Sequence, residues 1–414
     1  MKEEIINNLD NPAQLERLYR NNKGAFRRQF NLIYPDIKQN TTAQIWNERL
    51  NFEVEDISWG TSKELTFVIV ASLIAALIAK LPEILSIKEE YFYPRNIGFI
   101  VFPLLTAYFA WKQKLQTKKL VIISLAILAS VIYINLLPNN DKSDTLNLAC
   151  IHMPLFLWAV LGFTFAEDNL KGYQRRLDFL RYNGDLVVMT TLILIAGGLL
   201  TAVTLGLFEL IDLRIQKFYF EYIVICGAAA SPIVGTYLVQ TNPGLVNKVS
   251  PVIAKVFTPL VLATLIVYLI AVIYTGKDPY NDREFLLIFN LLLIGVMALI
   301  LFSITATSKN SDSKIGSVML LALSIVTIIV NGIALSAILF RISEWGITPN
   351  RLAVLGGNIL ILANLLLVTY RLFRTLKNSN EIEKVENSIA SYLAVYILWI
   401  AFVTFFFPLI FGFK

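Results

Sequence analysis

Beyond residue 64 the chain consists of long apolar runs separated by short polar breaks, and eleven of these runs have no acidic or basic residue near the centre. They fall roughly at 65–81, 96–111, 120–137, 148–166, 186–208, 218–239, 256–275, 285–304, 315–340, 352–370 and 389–411. A helix needs about 20 residues to cross the hydrocarbon core of a bilayer, so each run predicts one membrane-spanning helix. Strands of a membrane barrel alternate apolar and polar residues. The stretch from Leu186 to Leu207 is apolar on every face, which excludes a barrel. The predicted fold is all-α: a polytopic transmembrane helix bundle of about eleven spans over 64–414, preceded by a small helical segment over 1–63.

That N-terminal segment has a helical pattern of its own. Asn11, Pro12 and Gln14 make a helix start, with a capping side chain, proline in the first turn and an amide three residues on. Leu15, Leu18 and Tyr19, then Phe26, Phe30 and Ile33, recur at helical spacing, and Pro35 is expected to end the stretch. A second helix is expected from Thr42 to Leu50, with Ile45 and Trp46 on one side. Arg17, Arg20, Lys23, Arg27 and Arg28 interleave with the apolar positions. Two arrangements suit this pattern: a helix lying against an anionic inner leaflet, or a small helical cap packed on the cytoplasmic loops; the segment is also where a protein partner would bind.

Composition agrees with the patterning. The chain has 414 residues, is 56% hydrophobic and only 16% charged, and has a mean hydropathy of +0.63; a soluble globule could not bury that much apolar surface. The first 60 residues lack the apolar core of a cleavable leader, so the first span is expected to direct insertion. If the N-terminus is cytoplasmic, 25 of the 36 Lys and Arg residues fall on the cytoplasmic side, leaving 11 opposite. This bias predicts a multi-pass protein with N-terminus inside and C-terminus outside. The net charge of +6 is thus mostly an orientation signal and predicts no nucleic-acid partner. Cys150 and Cys226 fall within predicted spans and read as small core residues.

Candidate chemistry is sparse. The most distinctive local string is Trp345-Gly346-Ile347-Thr348-Pro349-Asn350-Arg351, between the ninth and tenth predicted spans. Glycine permits a turn, Thr348 can cap the next helix with Pro349 opening it, and Trp345 suits headgroup depth. Arg351 lies where the helix dipole disfavours a cation, so it needs a carboxylate, a carbonyl or a lipid phosphate; Glu344 and Arg341 are candidates for the same network. A helix hairpin with aromatic and cationic anchors would look the same.

This string, followed by the span Leu352 to Tyr370, resembles the Tyr-Gly-Leu-Thr-x-x-Arg signature of a bacterial polytopic family, the domain-of-unknown-function family 4153. Val267 to Ile270 and Tyr274, ahead of a loop containing Pro279, and the N-terminal Leu15-Glu16-Arg17-Leu18-Tyr19-Arg20 extend the resemblance. Trp345 and Ile347 depart from its tyrosine and leucine, and Asp278-Pro279-Tyr280 lacks a glycine after the proline. The resemblance implies a bacterial inner-membrane protein and brings no activity with it.

His152, the single histidine, has no ligating neighbours in sequence, and no metalloprotease, phosphate-loop or nucleophile-elbow motif occurs. No enzyme activity, cofactor or metal is expected. Glu64, Asp185, Glu209 and Glu284 sit at span ends, where they are expected to reach water, which argues against proton coupling. Inside the spans lie neutral polar residues: Asn290, Asn331, Asn358, Asn364 and Ser231, the last next to Pro232, which frees a carbonyl and could open its helix toward a cavity. With His152 these form a candidate polar path, although ordinary helix packing looks the same and is the favoured reading. Two functional readings follow: a transporter or channel for a small solute or lipid, or a non-catalytic scaffold or sensor acting through its N-terminal segment.

Overall fold

The computed structural model describes residues 2–21, 23–51, 60–140, 142–166, 173–209, 214–242, 314–375 and 382–414, with shorter stretches between 258 and 303. The chain divides into two compact units, Met1–Ser58 and Trp59–Lys414. Every regular element among the described residues is a helix.

The first unit holds α1 (Lys2–Asn7), α2 (Pro12–Asn21), α3 (Lys23–Ile37) and α4 (Thr41–Asn51). Asn11 caps α2 as its sequence predicts, accepting from the Gln14 amide at 3.3 Å, and Asn40 caps α4 by accepting from the Ala43 amide at 3.1 Å. Leu15, Phe26, Phe30, Ile33, Ala43 and Trp46 close with Ile5 into a core, where the rings of Tyr19, Phe26 and Trp46 meet at centroid distances of 5.1–5.7 Å. The helical apolar pattern is therefore consumed by the unit's own interior.

Two expectations fail here. Pro35 lies inside α3, because a proline in the last turn removes one hydrogen bond without stopping the helix. Ile45 is 63% exposed whereas Trp46 is buried, since consecutive residues of a helix point about 100° apart.

Glu16 holds the outside of this unit together. Its carboxylate pairs with Arg20 at 2.7 Å and with Arg49 at 2.8 Å, and the Arg49 guanidinium lies 4.6 Å from the Trp46 ring centroid. The Arg20 hydrogen bond and then Arg49 hold the Glu16 carboxyl below its ordinary value of 4.5. A depressed carboxylate stabilises the fold above the unfolded-state value and loses that contribution as pH falls through the folded one. Hydrogen-exchange protection in α2 and α4, corrected for intrinsic rates, should fall as pH drops below about 4.5, and Glu16→Gln should remove that part of the pH dependence.

The second unit is a helix bundle. Its helices are α5 (Ser62–Ile84), α6 (Glu89–Lys112), α7 (Thr117–Leu136), α8 (Asp144–Ala166), α9 (Tyr173–Glu209), α10 (Gln216–Thr241), α11 (Lys314–Trp345), α12 (Pro349–Thr375) and α13 (Ile382–Ile410). Eight of these are long and apolar enough to cross a membrane. The ninth, α6, has the length but carries Arg95, Asn96 and Pro94 in its first half. Expected spans 256–275 and 285–304 lie largely outside the described residues, so the described residues carry fewer than the eleven expected.

Successive helices run in opposite directions. Three contacts mark the face where α5 begins, here called proximal: Lys112 to Glu64 at 2.9 Å, Gln113 to the Phe165 carbonyl at 3.1 Å, and Arg181 to Glu386 at 2.9 Å. The distal face is joined by Tyr91 to the Asn135 carbonyl at 2.9 Å, Lys80 to the Glu221 carbonyl at 3.1 Å, and the Thr145 amide to the Lys414 carbonyl at 3.0 Å.

Small residues set the close approaches. Ala71, Ala75 and Ala79 form a buried stripe on α5 in the same core as Ala229 and Ile233 of α10, while a methyl at Gly98 of α6 would press on the backbone of Pro154 in α8. A second core joins α11, α12 and α13 through Leu323, Val330, Ile361, Leu365, Val368 and Ile389.

Pro232 does not break its helix. Helix runs unbroken through it, and Ser231 Oγ donates at 2.9 Å to the Ala228 carbonyl, the one a missing Pro232 N–H would otherwise leave open. The irregular part of α10 is instead a π-helical stretch at Tyr219–Val224. Glu64 also departs from expectation: it is 8% exposed and points into protein, where Tyr108 Oη donates to it at 2.5 Å alongside Lys112.

Candidate functional site

The Trp345–Arg351 string folds as a self-contained turn. α11 ends with the Gly346 amide on the Ile342 carbonyl at 2.9 Å, and Gly346 takes a φ of +74°, a left-handed conformation that costs a side-chain-bearing residue roughly 1–2 kcal/mol. Thr348 then caps α12: its Oγ1 accepts from the Arg351 amide at 3.3 Å. Arg351 Nη1 closes the turn by donating to the Trp345 carbonyl at 2.8 Å and the Gly346 carbonyl at 2.7 Å. These carbonyls end α11, so the cation meets the negative end of a dipole. Arg351 and Arg341 each lie 5.7 Å from the Trp345 ring centroid, and Arg341 donates to the Tyr280 carbonyl at 2.9 Å. Glu344 is exposed and takes no part in these bonds among the described residues.

The neutral polar residues stand in separate places. His152 is half-buried on α8, its Nδ1 2.8 Å from the Leu148 carbonyl. Ser231 serves the proline site described above. Asn331 and Asn358 meet between α11 and α12, Asn331 Nδ2 donating to the Asn358 carbonyl at 3.2 Å. Asn364 faces α13 instead, its Nδ2 3.1 Å from Tyr396 Oη. Asn290 is half-buried on a segment mostly outside the described residues.

What sequence reasoning missed is a lateral cleft between α7, α8, α9 and α13. Its volume is about 320 Å³, at the lower end of the roughly 300–1,000 Å³ typical of ligand sites. Ile123 and Ala126 of α7, Ala159 and Gly162 of α8, Phe179 of α9, and Ala394 and Ile397 of α13 form its apolar wall, and Arg176 stands at its rim. All of these but Ile397, which stands just past the middle of α13, lie in the proximal half of their helices. Small side chains leave the space: Ala126, Ala159, Gly162 and Ala394 sit where larger ones would fill it, and a methyl on Gly162 would already press on the Phe179 ring. Arg176 is held by an Nη1 bond to the Ala390 carbonyl at 3.0 Å. A second, broader apolar groove runs between α5 and α6 past Phe67, Ala71, Leu104 and Trp111, with Lys63 at its proximal end.

A greasy wall with a cation among its lining residues matches the polarity of a lipid, whose acyl chain needs no hydrogen bonds and whose headgroup carries charge. No protein-family model matches the chain, and no curated protein or solved structure is significantly similar to it.

The hairpin's contribution is to stability and helix register. Gly346→Ala and Thr348→Ala should each lower stability by about 1 kcal/mol, read as a fall in the thermal midpoint in detergent. Glu344→Gln should leave the midpoint unchanged.

Proposed function

We propose that this multi-pass membrane protein binds membrane lipid laterally, taking an acyl chain into the cleft between α7, α8, α9 and α13, and that its activity is the movement or sensing of lipid. The observation that carries this reading is the cleft itself: apolar walls, a size suited to a ligand, and a guanidinium at the rim. The groove between α5 and α6 repeats the same polarity with Lys63. A path for a polar solute has less support, because His152, Ser231 and Asn364 each bond to their own helix or to a neighbouring helix. The excess of Lys and Arg on one set of loops supports a bacterial inner-membrane location with a cytoplasmic N-terminus, in keeping with the resemblance to family 4153, and on this orientation the cleft opens to the inner leaflet.

A scaffold acting through residues 1–58 is the second reading, supported by that unit's own closed core. It predicts that deleting the unit abolishes partner binding while insertion persists.

A photoactivatable phospholipid with the reactive group in its acyl chain should label peptides of α8 and α13 that line the cleft. Ala394→Trp, which fills the space, should reduce that labelling several-fold without lowering expression, and Arg176→Gln should reduce it for anionic more than for zwitterionic lipid. Labelling spread evenly over all lipid-facing helices would contradict the proposal.

A further inference from the structure

Two pairs of asparagines cross between helices in this bundle, and they differ in one respect. Between α6 and α7 the pair is closed: Asn96 Nδ2 donates to Asn135 Oδ1 at 3.0 Å, and Asn135 Nδ2 donates back to Asn96 Oδ1 at 2.9 Å. Both remaining donor hydrogens go to helix carbonyls one turn earlier, on Phe92 and Val131. This pair needs nothing further.

The pair between α11 and α12 is half made. Asn331 is 0% exposed and Asn358 3%. The bond from Asn331 Nδ2 to the Asn358 main-chain carbonyl sets the two residues side by side near mid-bundle. Asn331 Oδ1, an acceptor, and Asn358 Nδ2, a donor, are both buried and have no hydrogen-bond partner among the described residues. Buried amide atoms of native proteins are almost always satisfied by protein or by ordered water. A hydrocarbon surrounding makes an unmade bond still more costly, because lipid supplies neither donor nor acceptor.

We infer that one water molecule is bound between α11 and α12, donating to Asn331 Oδ1 and accepting from Asn358 Nδ2. The donor set selects the ligand. A sodium or other hard cation requires several oxygens around it, whereas here one oxygen is matched by an amide NH₂ that would repel it. An anion meets the opposite difficulty, one donor against a carbonyl oxygen. An apolar group satisfies neither atom. Water offers a donor and an acceptor on one small centre and serves both. The site is independent of the lipid cleft, whose lining residues belong to α7, α8, α9 and α13.

The decisive measurement is an experimental density map of the full-length protein at a resolution that shows ordered water. A peak at hydrogen-bond distance, about 2.7–3.2 Å, from both Asn331 Oδ1 and Asn358 Nδ2 is expected; no peak there, or protein atoms satisfying both amides, overturns the inference. A solution test uses the absence of a direct bond between the two side chains. Asn331→Leu and Asn358→Leu should each lower the thermal midpoint, and the double substitution should lower it by clearly less than their sum; strict additivity contradicts a shared bridging molecule. The water is also sequestered: Asn331→Cys, in a Cys150→Ala/Cys226→Ala background, should resist a membrane-impermeant thiol reagent. Rapid modification would make the site part of an open aqueous path and sink the proposal. If the leucine variants do not fold, the density test on the unaltered protein still decides.

Discussion

Lipid cannot hydrogen-bond a peptide group, and most features of the larger unit follow from that constraint. It forces helix on the apolar segments among the described residues, whatever the local propensity; the β-branched run Val121-Ile122-Ile123 in α7 is helical for this reason. It also explains how irregularities are handled. Proline in α10 is tolerated because Ser231 takes the carbonyl that would be stranded. Arginine at the start of α12 is tolerated because it binds the two carbonyls that α11 leaves open.

The same constraint sorts charge by depth. Among the described residues, buried ionic groups lie near helix ends: Glu64 with Lys112 and Tyr108, Arg181 with Glu386, and Arg95 stacked 4.1 Å from the Tyr91 ring and bonded to Asn139. Near mid-bundle the polar links are neutral, Asn331 to Asn358 and Asn364 to Tyr396. Full desolvation of a charge is too costly there, while an amide can be satisfied by one or two bonds. Helix packing between these levels relies on small residues, and where they gather on α7, α8 and α13 the bundle leaves the lateral cleft.

How much of this was legible in the sequence depended on the range of the interaction. Apolar segments of nearly all-round hydrophobicity, such as that within α9, announced themselves because lipid contact is a property of the segment alone; α9 is exposed along Leu192, Ile195, Leu199 and Leu200. The apolar run begins only at 186 whereas the helix begins at Tyr173, because its first turns carry Arg175, Arg176, Asp178 and Arg181 and so lack the apolar signal. The hairpin at Gly346 and Thr348 was legible because turn and cap chemistry acts over a few residues. Glu64 was misjudged as a group that reaches water, because the partners that bury it, Tyr108 and Lys112, are 44 and 48 residues away. The Asn96–Asn135 pair and the cleft were invisible for the same reason: both depend on which helices become neighbours, which no local pattern encodes.

If lipid surrounds the outer faces of this bundle, α7 should report it first. Its exposed side is a continuous apolar line through Val121, Leu125, Leu128, Ile132 and Leu136. Spin labels placed singly at these positions in reconstituted protein should report, from relative oxygen and nickel-chelate accessibility, a depth that is greatest near Leu128 and decreases toward Val121 and Leu136. A profile accessible to the nickel chelate throughout, with no maximum in depth, would contradict the account.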